Sequence, residues 1–242
     1  SLTGQGTDTL SGIESADLTG GAAANTIDAT GFSGAATITG GAANDTLTGG
    51  SGNDSLVGEA GNDVLNGGAG DDVIDGGAND DKVTQTVDGD QTLGDTLLTG
   101  QGTDTLAGIE SAELTGGAGA NTIDASGFAA GSVTIDGGAG NDTLSGGTGN
   151  DSIVGGEGTD QLNQTSNIAQ TLTDAQATGQ GTDVLATIET ASLTGGDAAN
   201  DIDASAFTLG AVTIDGGAAN DTLTGGAGAD SLVGGAGDDV LT

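Results

Sequence analysis

The most regular feature of the chain is a row of single aliphatic residues at near-constant spacing. Leu10, Leu18, Ile27, Ile38, Leu47, Leu56, Leu65, Ile74 and Val83 follow one another at steps of 8, 9, 11 and then 9 residues. Each stands among small or polar residues, so apolar positions come singly. That pattern predicts short strands with one inward side chain each, as the period-2 alternation of extended chain requires. A helical reading fails, because the 3.6-residue period is missing and glycine at this density is costly in a helix.

The segments between these aliphatics repeat at two scales. TGQGTDTLSGIESADLTGG begins at Thr3, and close copies begin at Thr99 and Thr178. Inside each unit a nonapeptide GGxGxDxUx recurs, where U is a large aliphatic. Copies start at Gly40, Gly49, Gly58, Gly67 and Gly76, then Gly137, Gly146 and Gly155, then Gly216, Gly225 and Gly234. One continuous solenoid over 1–242 is expected, with units 3–98, 99–177 and 178–242 and strict blocks 40–84, 137–163 and 216–242. The first unit exceeds the second by two nonapeptides less one residue, so the module is a pair: one coil of 18 residues, two turns and two strands. Looser turns are expected near 28–37, 84–98, 124–134, 163–177 and 203–213. The fold class is all-β, a parallel β-solenoid, with about 13 coils at about 4.8 Å making an elongated rod.

Composition sharpens this picture. The chain has 51 Gly, 3 Phe and no Pro, Cys, Met, Trp, Tyr or His, and Lys82 is the only cation against 36 carboxylates, a net charge of −35. A large aromatic core is excluded, and the bare chain repels itself. Order requires something that neutralises the carboxylates. Nucleic acid is excluded as a partner, because phosphate binding needs Lys and Arg. No stretch reaches the length of a membrane-spanning helix, so no membrane insertion is expected. With neither a signal peptide nor an initiator Met, a segment or processed product is expected.

GGxGxD must be a turn, since its glycines permit backbone conformations closed to other residues. Stacking every 18 residues places the Asp of one repeat over the Asp two repeats later. Two carboxylates and several carbonyls then surround each gap, an all-oxygen cage suited to Ca²⁺. Zinc and copper are disfavoured without His or Cys. The expected pairs are Asp45 with Asp63, Asp54 with Asp72, Asp63 with Asp81, Asp142 with Asp160, and Asp221 with Asp239. Asp151 and Asp230 lack a motif partner and are expected to form half-sites with looser turns. Ala43, Ala219 and Asn79 replace the fourth-position Gly, and Glu59 the second. Asn25, Asn121 and Asn200 stand where Asp is expected. There an uncharged hydrogen-bonded turn is favoured over a weaker calcium site.

GGSGNDSLV at 49–57, GGAGDDVID at 67–75, GGAGNDTLS at 137–145 and GGAGDDVLT at 234–242 resemble the RTX repeats of type I-secreted bacterial proteins, a nonapeptide class characterised by calcium binding. The resemblance implies a right-handed parallel β-roll, folding triggered by calcium, and an extracellular location.

Other features read as structural. Phe32, Phe128 and Phe207, one per unit, are expected to plug the loose turns, and Lys82 to be exposed. Paired carboxylates also occur in glycosidases, but here every pair lies in a tandem repeat, so no catalytic residues and no enzyme activity are expected. Ice binding is disfavoured, because Thr pairs such as Thr46/Thr48 and Thr222/Thr224 do not recur on successive coils. Both termini fall within the periodic pattern, so the chain is read as cut from a longer array or shaped to join other copies end to end. The expected role is a calcium-stiffened segment of a fibre, surface layer or very long surface protein. The alternatives are a spacer arm of an adhesin, or an accessory calcium-folding domain of a secreted enzyme or toxin.

Overall fold

The structure, a computed structural model, describes Leu2–Thr3, Thr7–Asp8 and residues 11–242, so Leu10 lies outside the described residues. Among the described residues every regular element is a strand. The chain divides into two compact units, Ser1–Val83 with Gln101–Ile109, and Thr84–Gly100 with Glu110–Thr242.

In the first unit two parallel sheets face each other. One carries Ser15–Gly21, Ala35–Ala42, Ser55–Ala60, Val73–Ala78 and Thr103–Ala107; the other carries Thr26–Asp28, Thr46–Thr48, Val64–Asn66 and Lys82–Thr86. The aliphatic row predicted from sequence forms the core between them. Ile38 stacks on Leu56 and Leu56 on Ile74, while Leu47 stacks on Leu65 and Leu65 on Val83. All six are at most 1 % exposed. Lys82 sits at an outward strand position opposite Val64 and is half-buried rather than exposed.

The 18-residue coil holds within the strict blocks and from the strand that leads into each of them. Leu18 pairs with Ile38, a step of 20, and Ile74 pairs with Leu106, a step of 32. The second unit shows the same classes: Ile135 to Ile153 is 18, Leu114 to Ile135 is 21, and Ile153 to Leu185 is 32. The long steps have a definite cause. Residues expected to be loose turns form antiparallel hairpins, Gln91–Gly94 with Leu97–Thr99 and Gln170–Thr173 with Gln176–Thr178. Ser111–Thr115 and Thr190–Gly196 are equivalent in sequence yet lie in opposite sheets, so one 79-residue repeat holds an odd number of half-coils.

The hairpins are tied in by buried glutamines. Gln85 Nε2 donates to Gln91 Oε1 at 3.0 Å and to Thr99 O at 2.9 Å, and Gln164 Nε2 donates to Thr178 O at 2.8 Å. Their tips also hold the phenylalanine loops. Asp95 Oδ1 accepts from Ala129 N–H at 2.6 Å, and Asp174 Oδ1 from Thr208 N–H at 2.6 Å. Phe128 and Phe207 are fully buried, as expected of plugs, while Phe32 is half-buried. Phe128→Ala and Phe207→Ala are each expected to lower stability by about 3–5 kcal/mol, measured by urea unfolding at fixed calcium.

The four departures from the glycine pattern carry strain. Ala43 (φ 83°), Glu59 (φ 73°), Asn79 (φ 88°) and Ala219 (φ 74°) all adopt the left-handed backbone that glycine normally supplies. For Ala43 and Ala219 the steric penalty is about 1–2 kcal/mol. Part of that is offset because glycine loosens the unfolded chain. Ala43→Gly and Ala219→Gly are therefore each expected to raise stability by roughly 0.5–1 kcal/mol, read as a shift in urea midpoint.

Candidate metal centres in the turns

The motif aspartates are drawn inside the solenoid by the turns that carry them. Asp45, Asp54, Asp63, Asp72, Asp81, Asp142, Asp151, Asp160 and Asp221 are all at most 3 % exposed. Asp230 and Asp239 are half-buried.

In each predicted pair one carboxylate oxygen has the same task. Asp45 N–H donates to Asp63 Oδ1 at 2.7 Å, Asp54 N–H to Asp72 Oδ1 at 2.7 Å, and Asp63 N–H to Asp81 Oδ1 at 2.7 Å. The second unit repeats it, with Asp142 N–H on Asp160 Oδ1 at 2.8 Å and Asp221 N–H on Asp239 Oδ1 at 2.9 Å. The structure thus brings together all five pairs. Asp230 Oδ1 accepts from Val212 N–H at 2.9 Å, and Asp151 Oδ1 from Val133 N–H at 2.8 Å.

The other oxygen is left over. Oδ2 of Asp45, Asp63, Asp72, Asp142, Asp151, Asp160 and Asp221 is buried with no hydrogen-bond partner. Gly147 N–H approaches the Asp151 carboxyl without satisfying that oxygen. Asp54 differs, since its Oδ2 accepts from Gly50 N–H at 2.6 Å. An unpartnered buried carboxylate oxygen is costly, so its recurrence calls for a counter-charge.

The first glycine of the motif packs directly against that oxygen. A Cβ on Gly40 would fall 2.5 Å from Asp45 Oδ2 and 2.9 Å from Gly58 O, and one on Gly216 would fall 2.5 Å from Asp221 Oδ2 and 2.7 Å from Gly234 O. On Gly137 the same roles go to Asp142 Oδ2 and Gly155 O. A carboxylate oxygen and a carbonyl oxygen from the next coil therefore approach one point, where only glycine leaves room. Carboxylate and carbonyl oxygens gathered in one turn repel one another unless a cation lies nearby. Among the described residues no three acidic side chains converge. Each gap holds one or two carboxylates plus carbonyls, an oxygen-only donor set that fits Ca²⁺.

Electrostatics agree. Burial pushes the carboxyls of Asp63, Asp142, Asp151 and Asp160 above the ordinary range. Burial raises those of Asp72, Asp104 and Asp183 to about 6, with neighbouring carboxylates adding to the rise. In the asparagine turns the amide oxygen is satisfied in the way Asp54 Oδ2 is, although Asn200 Nδ2 is buried without a partner. Gly21, Gly117 and Gly196 N–H donate to Asn25, Asn121 and Asn200 Oδ1 at 2.8, 2.8 and 2.9 Å.

Three acidic residues were missed in the sequence. Asp72 N–H donates to Asp104 Oδ1 at 3.0 Å, and Asp151 N–H to Asp183 Oδ1 at 3.0 Å. Asp160 N–H donates to Glu189 Oε2 at 2.9 Å. Asp151, expected to form a half-site with a looser turn, meets Asp183 in such a turn: the hairpin insertion returns the chain in register, 32 residues on. The available signal was GxGxDxU at Gly100–Leu106 and Gly179–Leu185, which lacks only the first glycine of the motif. For Glu189 no such signal existed.

No curated protein matches the chain significantly. The family model of the RTX calcium-binding nonapeptide repeat (4 copies) matches residues 30–65, 48–83, 113–128, 134–163 and 213–241, just over half of the 242 residues. The ranges it covers include all eleven motif aspartates, Asp45 to Asp239, and the chain belongs to the RTX family of calcium-binding nonapeptide repeat proteins.

Proposed function

We propose that this chain is a non-catalytic structural segment that works outside the cell, where its turns take up calcium and stiffen the solenoid. The observation that carries the reading is the repeated Oδ2 orphan: the same unsatisfied oxygen stands in the same glycine cradle on successive coils of each unit. A site so repeated serves the backbone it stands in rather than one substrate.

The chain's own residues do most of the work. Each Oδ1 ties one coil to the next through a backbone N–H, and Oδ2 of Asp45, Asp142 and Asp221 shares its glycine with a carbonyl of the next coil. Calcium, when bound, supplies the positive charge that lets these oxygens stay buried together. Ordering of the turns and uptake of the ion are then one equilibrium. In a cytosol poor in calcium, the net charge of −35 keeps the chain loose enough for export. The partners are calcium ions and other copies of the chain.

Negative-stain electron microscopy of the calcium-loaded chain tests the structural role. End-to-end association into rods or filaments is expected. A monodisperse monomer at every concentration would instead favour a spacer arm or an accessory calcium-folding domain.

A further inference from the structure

The hairpin insertions break the 18-residue rhythm, yet they leave the carboxylate columns unbroken. Between two strict turns of the second unit three bonds recur: Asp142 N–H to Asp160 Oδ1 at 2.8 Å, Thr159 N–H to Asn141 Oδ1 at 2.9 Å, and Gln161 N–H to Asp142 O at 2.8 Å. The same three bonds reappear across the insertion. Asp151 N–H donates to Asp183 Oδ1 at 3.0 Å, Thr182 N–H to Asn150 Oδ1 at 2.9 Å, and Val184 N–H to Asp151 O at 2.8 Å. The first unit repeats them with Asp72 N–H on Asp104 Oδ1 at 3.0 Å, Thr103 N–H on Asp71 Oδ1 at 2.9 Å, and Thr105 N–H on Asp72 O at 2.8 Å.

Bond for bond, the degenerate turns occupy the place of a third strict repeat. Asp104 and Asp183 are 2 % and 4 % exposed. Their partners supply an independent pointer to a ligand. Asp72 Oδ2 and Asp151 Oδ2 are buried without a hydrogen-bond partner, and each lies against the first glycine of its own turn, Gly67 and Gly146. Asn121 and Asn200, by contrast, accept from within their own turns, from Gly117 N–H and Gly196 N–H.

We propose that Asp104 and Asp183 are calcium ligands, closing with Asp72 and Asp151 two sites that lie outside the strict repeats and span a hairpin insertion. The inference rests on the calcium reading above and extends it to turns that the family model does not match. Each insertion is thereby clamped at its base, so an excursion of the chain does not interrupt the row of ions.

A crystal structure of the unaltered chain grown with calcium tests this directly. Ions ligated by both Asp72 and Asp104, and by both Asp151 and Asp183, are expected. Ions in the Asp45–Asp63 and Asp142–Asp160 gaps with none at these two places would overturn the inference and leave the calcium reading standing. No ion in any turn would remove both. Equilibrium dialysis with atomic emission gives a second readout. The double variant Asp104→Asn, Asp183→Asn is expected to bind two calcium ions fewer per chain than the unaltered protein, and an unchanged count would contradict the proposal. Should that variant fail to fold, the crystal structure of the unaltered chain decides.

Discussion

At roughly millimolar calcium, Asp63→Ala is expected to cost the first unit about 4 kcal/mol of stability, whereas Asp80→Ala costs under about 0.5 kcal/mol. Both substitutions remove one of 36 carboxylates, so they change the net charge equally. Their places differ. Asp80 is exposed. Asp63 is 1 % exposed, accepts Asp45 N–H at 2.7 Å through Oδ1, and keeps Oδ2 unpartnered beside Gly58. Removing it orphans the Asp45 N–H, worth about 1–3 kcal/mol. It also weakens a site that contributes about 2.7 kcal/mol when calcium stands at a hundred times its dissociation constant. Urea unfolding at fixed calcium measures both variants. If charge repulsion dominated instead, the two substitutions would stabilise the chain to the same extent.

The second large effect is a gain of structure in acid without calcium. Burial raises the carboxyls of Asp72, Asp104 and Asp183 to about 6, against 3.8 for the exposed group. A group raised in the folded state stabilises it fully below the unfolded value, and that contribution is lost as pH rises through the folded value. In chelator, the chain is therefore expected to gain β structure as pH falls from about 6 toward 4. With calcium present the sign reverses, because protons compete for the same oxygens. The calcium midpoint should rise steeply below about pH 6. Far-UV circular dichroism at stepped pH, with and without calcium, reads both limbs. A chelated chain that loses structure on acidification would contradict the burial of these carboxylates.

Much of this was legible in the sequence, for a local reason. Gly40, Gly41 and Asp45 announce a turn because left-handed backbone and a cradle without Cβ demand those residue types. Ile38, Leu47 and Leu56 announce the core because a short strand offers one inward position. The pairing of Asp45 with Asp63 then follows from spacing alone. What escaped was non-local. Nothing near Asp104 shows that residues 84–100 fold out as a hairpin and return the chain in register, because its glutamine ties reach from Gln85 to Thr99 and from Gln91 to Thr115. Gln85, Gln91, Gln164 and Gln170 look like surface residues in the sequence and are buried in the fold. Asp95 and Asp174 look like ordinary turn residues, yet they hold loops 34 residues further on. Glu189 reaches the Asp160 backbone from a turn with no motif at all.

Burial of the motif carboxylates is expected to be conditional on calcium. Far-UV circular dichroism during a calcium titration at neutral pH tests it most directly, with magnesium as the control. Magnesium demands smaller, near-octahedral geometry and keeps its waters, so it should not substitute. A disordered spectrum in chelator and a cooperative transition to β structure with calcium alone are expected. A chain already folded in chelator at neutral pH would mean that the ladder of Ile38, Leu56 and Ile74 suffices, and that the aspartates are not the switch.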